Sequence, residues 1–477
     1  MLTETEFVYT TPPYQHQLDA LAAAWDKPSF AFFMEQGTGK SKIVVDETVN
    51  MIERNTINCI VVLAPNGVHA NWQEQFETHG PKDYGKWAIQ VYRSKNNAEK
   101  QEKLTRDIIN SGKVLVFLMN IDALSHQSGI QYLGRILRAR RMTYLCIDES
   151  HKIKNNSAKR TKVAIEMGKL AKYRRILTGT EAEEGIINLY SQFKFLDWSI
   201  IGFKYITPFK GFYCIMGGYE NREIIGYRNK EMLALKIAPY IFNRRKKDCL
   251  DLPEKIYVSH HIDLTPEQDK MYTTLEEQLL LELDNGTLVD ATMALTRFIR
   301  LQQVLNGHID NEAIPSNRAS FTADLIEANT KKSIVFCRFV MDVTLVRVAL
   351  AKLDIESVGI TGETDHRLDE INRWRSDPNC RALVITTQTG GTGLTLNEAN
   401  NTIFYSNSWS ATDRLQAEDR NHRIGQNDHV TYHDITVKGK FDDKILKALK
   451  CKTNLANEFR LLLAHGMRGD AWKELFQ

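Results

Sequence analysis

Residues 34–41 read MEQGTGKS. They follow the apolar run FAFFM (30–34) and lead into KSKIVVDETVNMI (40–52), which has helical character. Strand, glycine turn, helix is the setting a phosphate-binding loop requires. Gly37 and Gly39, on either side of Thr38, allow the tight turns that let successive N–H groups surround phosphate oxygens. The helix N terminus adds the positive end of its dipole. Lys40 can reach the β- and γ-phosphates, and the Ser41 hydroxyl can ligate Mg²⁺. The strict pattern places glycine six residues before the lysine, where this chain has Met34. An ordinary glycine turn is the competing reading; the GKS ending in this context favours the phosphate loop.

Working outward, two series of short strands emerge. The first comprises FAFFM, CIVVLAP (59–65), VLVFLM (114–119), TYLCID (143–148) and RRILTG (174–179). The second comprises SIVFC (333–337), ESVGIT (356–361), ALVITT (382–387), NTIFYS (401–406) and TYHDIT (431–436). Most are continuously apolar rather than alternating, as expected of strands buried on both faces of a parallel sheet. Helical segments at 40–53, 67–79, 96–110 and 364–376 lie between them, so the fold class is α/β. A long helical region, roughly 182–310, is expected between the series, and it carries the basic run Arg244 to Lys247. The lobe boundary is placed near 250, giving lobes 1–250 and 251–477.

The composition agrees. A chain of 477 residues is too long for one ordinary core. Its 43% hydrophobic and 25% charged residues are normal for a globular protein. A formal net charge of +3 is too mild to mark a nucleic-acid binder by itself, so any phosphate-binding surface must be local. The seven cysteines lack metal spacing and read as reduced thiols. The opening MLTETEFVYTTPP has no basic or apolar leader, and no apolar run reaches membrane-spanning length. The expectation is a cytoplasmic protein, or a nuclear one in a eukaryote, with no membrane partner.

Two further stretches carry chemistry. In YLCIDESHKIKN (144–155) a strand ends in Asp148 and Glu149, where open α/β sheets bind ligands. Asp148 can hold Mg²⁺ through its waters, and Glu149 can orient or deprotonate a water. Such a pair alone is usually a helix cap; after a GKS loop the catalytic reading gains weight. In QAEDRNHRIGQ (416–426), Gln416, Arg420 and Arg423 are spaced i, i+4, i+7, which puts them on one face of a helix. Two adjacent guanidinium groups require an anion, and no acidic residue has matching spacing on that face. A solvated helix face is the competing reading. Arg414 lies about 60° or more round from that face at ~100° per residue. Trp25, Trp72 and Trp374 sit on apolar helix faces and read as packing residues.

Taken in order, these stretches resemble the superfamily-two helicases and translocases, and among them the Swi/Snf-type branch. PYQHQLDAL (13–21) resembles the adenine-reading motif, which gives that role to Gln15. LAPNGVHANWQEQF (63–76) resembles the motif that touches the DNA backbone, and DESHKIKN the branch's form of the carboxylate box. RRILTGTEAEEGIINLYSQFKFLD (174–197) is similar to the coupling motif, NRRKKDCLDLPEK (243–255) to the inter-lobe segment. TQTGGTGLTL (387–396) and QAEDRNHRIGQ resemble the last two motifs. The chain departs from the branch at Glu181, where proline usually follows TGT, at Ser410-Ala411 after Trp409, and at Ser150.

The resemblance implies two RecA-like parallel-sheet lobes with helical insertions between them, the nucleotide binding between the lobes. It gives ATP to Gln15, Gly37, Thr38, Gly39, Lys40, Ser41, Gly391 and Gly393, and Mg²⁺ to Ser41 and Asp148. The catalytic set is Lys40, Asp148, Glu149, Gln416, Arg420 and Arg423, with the arginines answering the γ-phosphate. His151 either couples the nucleotide site to the second lobe or is an ordinary polar residue. The implied function is ATP-driven movement on double-stranded DNA, gripped through its phosphates without sequence preference. A compact, monomeric, stand-alone motor of the phage and bacterial kind is expected. Two other readings stay open: a helicase unwinding single-stranded or branched DNA or RNA, and a nucleic-acid-binding scaffold with weak hydrolysis.

Overall fold

The computed structural model describes residues 7–65, 68–83, 85–93, 98–179, 185–218, 223–284, 291–390 and 394–451. The chain divides into two compact units, Met1–Asp251 and Leu252–Gln477. The first is built on strands β1 (Ser29–Met34), β2 (Cys59–Ala64), β3 (Trp87–Val91), β4 (Val114–Asn120), β5 (Thr143–Ile147) and β6 (Tyr173–Thr178). A hairpin, β7 (Cys214–Gly217) and β8 (Glu223–Tyr227), follows, and then β9 (Ile241–Arg244). The sheet runs β3-β4-β2-β5-β6-β1-β9 with every pairing parallel.

Every residue of β1, β2 and β5 is buried, which is why these strands read as unbroken apolar runs. Alternation along each strand divides it between two cores. Phe30, Phe32, Ile60, Val62 and Tyr144 face one; Ala31, Phe33, Val61, Leu63 and Leu145 face the other. Helices α1 (Gln15–Ala24), α2 (Lys40–Glu53) and α3 (His69–His79) pack on the first face.

The second unit has β10 (Lys255–His261), a two-stranded ribbon of β11 (His308–Ile309) and β12 (Glu312–Ala313), then β13 (Lys332–Cys337), β14 (Glu356–Ile360), β15 (Cys380–Thr386), β16 (Ala399–Phe404) and β17 (Val430–Thr436). Its main sheet, also parallel throughout, runs β10-β17-β16-β13-β15-β14. The fold class is thus α/β with two parallel sheets.

The region 182–310, expected to be a long helical region, is helical only in part. It contains the β7–β8 hairpin and contributes a strand to each sheet, β9 and β10. β9 is only four residues long, and β10 is an edge strand whose residues are all partly or wholly exposed, so neither shows a core-strand pattern. Among the described residues no helix is long and apolar enough to cross a membrane.

Candidate functional site

The motif-bearing ends of β2, β5, β6 and β1 are neighbours in the first sheet, so four separate stretches of sequence meet at its carboxyl edge. The loop after β1 is shaped by Gly37 and Gly39, both left-handed with φ of +81° and +84°. Met34 is still strand, its side chain buried, so the turn starts after it; its carbonyl and that of Glu35 accept from Lys40 Nζ at 2.7 and 3.2 Å. The Thr38 hydroxyl closes the turn on Glu35 O at 2.8 Å, while the carbonyl of Thr38 accepts from His16 Nε2 at 2.8 Å. Lys40 and Ser41 open α2, at the positive end of its dipole.

The carboxylates stand on β5's end. Asp148 N donates to Leu63 O at 2.8 Å, tying the turn to β2. Asp148 accepts from Glu149 N on Oδ1 and from the Trp72 indole on Oδ2, both at 2.9 Å. Burial, and then the neighbouring Glu149 charge, push Asp148 up to about 6. Glu149 adopts φ +52°, a left-handed conformation that costs a non-glycine residue roughly 1–3 kcal/mol and recurs at functional sites. Its Oε1 accepts from Gln36 Nε2 at 3.1 Å and its Oε2 lies 3.3 Å from His151 Nδ1. Ser150, one of the departures from the branch, is buried and donates to Gln192 at 2.5 Å, joining the carboxylate turn to the helix Ile187–Ile201.

ATP and Mg²⁺ fit this set. A Cβ on Gly39 would strike Gln17 Nε2 at 2.2 Å, and one on Gly179 would come within 2.8 Å of Gln36 and 3.6 Å of Lys40 Nζ, so both glycines keep the loop's surroundings narrow. The buried carboxylate of Asp148, the half-buried one of Glu149 and the hydroxyl that Ser41 brings to the start of α2 are hard oxygen donors. Mg²⁺ takes few of these and completes its octahedron with phosphate and water.

In the second unit the expected helix face is corrected. The helix Ala411–Glu418 stops before either arginine. Gln416, half-buried, is on it; Arg420 and Arg423 follow in turns. The two arginines are nonetheless brought together, since Nη1 of each lies 3.4 Å from the single carbonyl of Leu394. The turn is built by side-chain amides. Asn397 Nδ2 donates to Ile424 O at 2.8 Å, Asn421 Nδ2 to Thr402 Oγ1 at 2.8 Å, and Gln426 Nε2 to Asn421 O at 3.1 Å. Gly425, at φ +96°, supplies the reversal. The RIGQ ending is therefore a turn pinned by side-chain amides, and Arg423 sits at its start. Arg414, in contrast, is a core residue: it pairs with Asp434 and with Glu418 and lies over the Phe404 ring at 3.5 Å.

Gln15, expected to read the adenine, opens α1. It is exposed and donates to Asp19 at 3.1 Å. Gln17 is the glutamine beside the phosphate loop, 2% exposed and 3.5 Å from Thr38 O. The signal was present: Ala20, Leu21 and Ala24 define α1's buried face, and Gln17 shares it. Gln36, Gly179 and Trp72 were also missed. Gly391, Gly393, Thr180 and Glu181 lie outside the described residues, as do Asn66 and Gly67 of the 63–76 stretch.

Strand, phosphate loop and helix, with a carboxylate pair on a nearby parallel strand, define a phosphate-loop nucleotide hydrolase. Residues 24–312 match the SNF2-related domain and residues 317–425 the helicase conserved C-terminal domain. The chain belongs to the SNF2-related family, a Swi/Snf-type branch of the ATP-hydrolysing superfamily-two enzymes. It is 25% identical over 434 residues to a Mycoplasma pneumoniae protein described as an uncharacterised ATP-dependent helicase, covering 89% of this chain and 39% of that one. It is 26% identical over 418 residues to a Caenorhabditis elegans homologue of the SWI/SNF-related regulator of chromatin subfamily A-like protein 1, covering 84% and 55%. The chain therefore spans about two fifths and just over half of these relatives. A solved SWI2/SNF2 ATPase core of Sulfolobus solfataricus in complex with dsDNA is 23% identical, with a TM-score of 0.45, covering 98% of this chain and 96% of that one.

Proposed function

We propose that this chain is an ATP-dependent translocase on double-stranded DNA. The observation that carries the reading is the coincidence of a built phosphate-loop site with a match to the SNF2-related domain over residues 24–312. Lys40 and the amides of Gly37 to Ser41 hold the phosphates, Ser41 and Asp148 hold Mg²⁺, and Glu149 prepares the attacking water. Gln416, Arg420 and Arg423 act on the γ-phosphate, where planar guanidinium groups suit the spread charge of phosphoryl transfer. ATP then favours one arrangement of the two units and its hydrolysis another, which makes a motor by population shift. The DNA is gripped through phosphates, so binding is sequence-independent and falls steeply with salt. The motor acts as a monomer.

The test is the steady-state ATPase rate with duplex DNA, single-stranded DNA, forked DNA and RNA side by side, together with displacement of a third strand from a DNA triplex. Duplex should stimulate most and the triplex strand should be released. A greater response to RNA, or strand separation on forks, would replace translocation by unwinding. ATPase indifferent to every nucleic acid would leave a scaffold.

A further inference from the structure

Trp72 has a partner that simple packing does not require. It is fully buried, and its ring lies against Phe76, with centroids 6.2 Å apart. A tryptophan used only as filler places its N–H wherever a partner happens to be. Here the partner is Asp148 Oδ2, 76 residues away, at 2.9 Å and out of contact with solvent. The other oxygen, Oδ1, accepts from Glu149 N at 2.9 Å. Both oxygens of the carboxylate are thus held by donors rigid in the fold, one on α3 and one in the turn after β5. An ionised carboxylate has about four lone-pair sites, so two donors leave roughly two, and their directions are set by the two that are occupied.

We infer that Trp72 is a positioning residue for the Mg²⁺-binding carboxylate: its indole N–H fixes the rotation of Asp148 so that the remaining lone pairs meet the metal's waters. This rests on the ATPase reading above. Residues that orient a metal's ligands typically cost 10–100-fold in metal affinity or activity when removed.

The experiment compares Trp72→Phe, Phe76→Leu, Asp148→Asn and the Trp72→Phe/Asp148→Asn pair. Binding of a fluorescent ATP analogue is measured as Mg²⁺ is titrated, and again in EDTA. Trp72→Phe keeps an aromatic ring and loses only the donor, so the Mg²⁺ concentration for half-maximal binding should rise roughly tenfold or more. Its affinity in EDTA should stay within about twofold of the parent, because the N–H acts on the metal ligand and not on the nucleotide. Asp148→Asn should show a comparable loss, and the pair no further one. Phe76→Leu disturbs the same packing without touching Asp148 and should leave the Mg²⁺ midpoint in place. An unchanged midpoint in Trp72→Phe, an equal loss in EDTA, a shift of the midpoint in Phe76→Leu, or a further full loss in the pair would each overturn the inference while leaving the ATPase reading standing. A parent protein whose nucleotide binding ignores Mg²⁺ would overturn both.

Discussion

Glu47 and Arg175 make a buried pair that can be tested by exchange. Both side chains are wholly shielded from solvent. Arg175 Nη2 pairs with Glu47 Oε1, Nε donates to Oε2 at 3.1 Å, and Tyr144 donates its hydroxyl to Oε2 at 2.7 Å. The spare donors are also used, Nη1 on Arg174 O at 3.0 Å and Nη2 on Ala24 O at 3.3 Å. Glu47 is on α2, Tyr144 on β5 and Arg175 on β6, so one carboxylate ties the helix that opens with Lys40 to the strands that lead into Asp148 and Glu149 and into Gly179. Glu47→Gln keeps the shape and strands the guanidinium charge. Breaking such a pair costs about 3–5 kcal/mol, a large part of the 5–15 kcal/mol that holds a domain folded. Arg175→Met should cost a similar amount by stranding the carboxylate, yet the double replacement should fall well short of the sum, because no charge is left buried alone. Hydrogen exchange of the α2 amides reads the loss locally, which suits a chain of two units better than one melting temperature. The ATP concentration for half-maximal turnover should rise with it. Glu47→Gln within 1 kcal/mol of the parent, or strictly additive losses in the double variant, would refute this account.

Lys40→Ala should abolish ATP turnover in a folded protein, whereas Glu149→Gln should bind ATP and not hydrolyse it; parental turnover in Glu149→Gln would remove the water-preparing role from that residue. Arg423→Ala should lower kcat on the order of a thousandfold, about 4 kcal/mol of transition-state stabilisation, with nucleotide binding nearly kept, and Arg420→Ala by a similar or smaller factor. Arg414→Ala should instead unfold the second unit at lower urea by roughly 3–5 kcal/mol, since it strands Asp434 and Glu418; a thermally normal Arg414→Ala would contradict the burial described above. Gln17→Ala should raise the KM for ATP more than Gln15→Ala, read from steady-state kinetics with saturating DNA; equal effects would deny the buried glutamine beside the loop any greater share in nucleotide binding.

The strands buried on both faces were legible because continuous burial forces a continuous apolar run: CIVVLA could hardly be anything else. Edge strands carry no such constraint. In Lys255–His261 every side chain is partly or wholly exposed, and Ile241–Arg244 is too short to show a period. The phosphate loop and carboxylates were legible for a different reason, since their chemistry demands particular residue types at fixed spacing. Where the demand is only for a direction in space, spacing misled. Arg420 and Arg423 converge, but through a turn held by Asn397, Asn421 and Gln426 rather than along a helix. Trp72 lies on an apolar face as expected, and nothing in the order of residues could reveal where its N–H points.

The position of β9 has a consequence for synthesis. β1, which delivers the phosphate loop, pairs on one side with β6 and on the other with β9, matching Phe32 to Phe242. Until residues 241–244 emerge, the apolar FAFFM strand has an unpaired edge, the kind that recruits other chains. Roughly 200 residues separate the two strands, on the order of 10–40 s of translation. Throughout that interval the nascent first unit holds its nucleotide loop on an open flank. A chain cut at 240 would keep that flank permanently and should clump, while one cut at 251 closes it. The last strand laid down is thus the seal on the first.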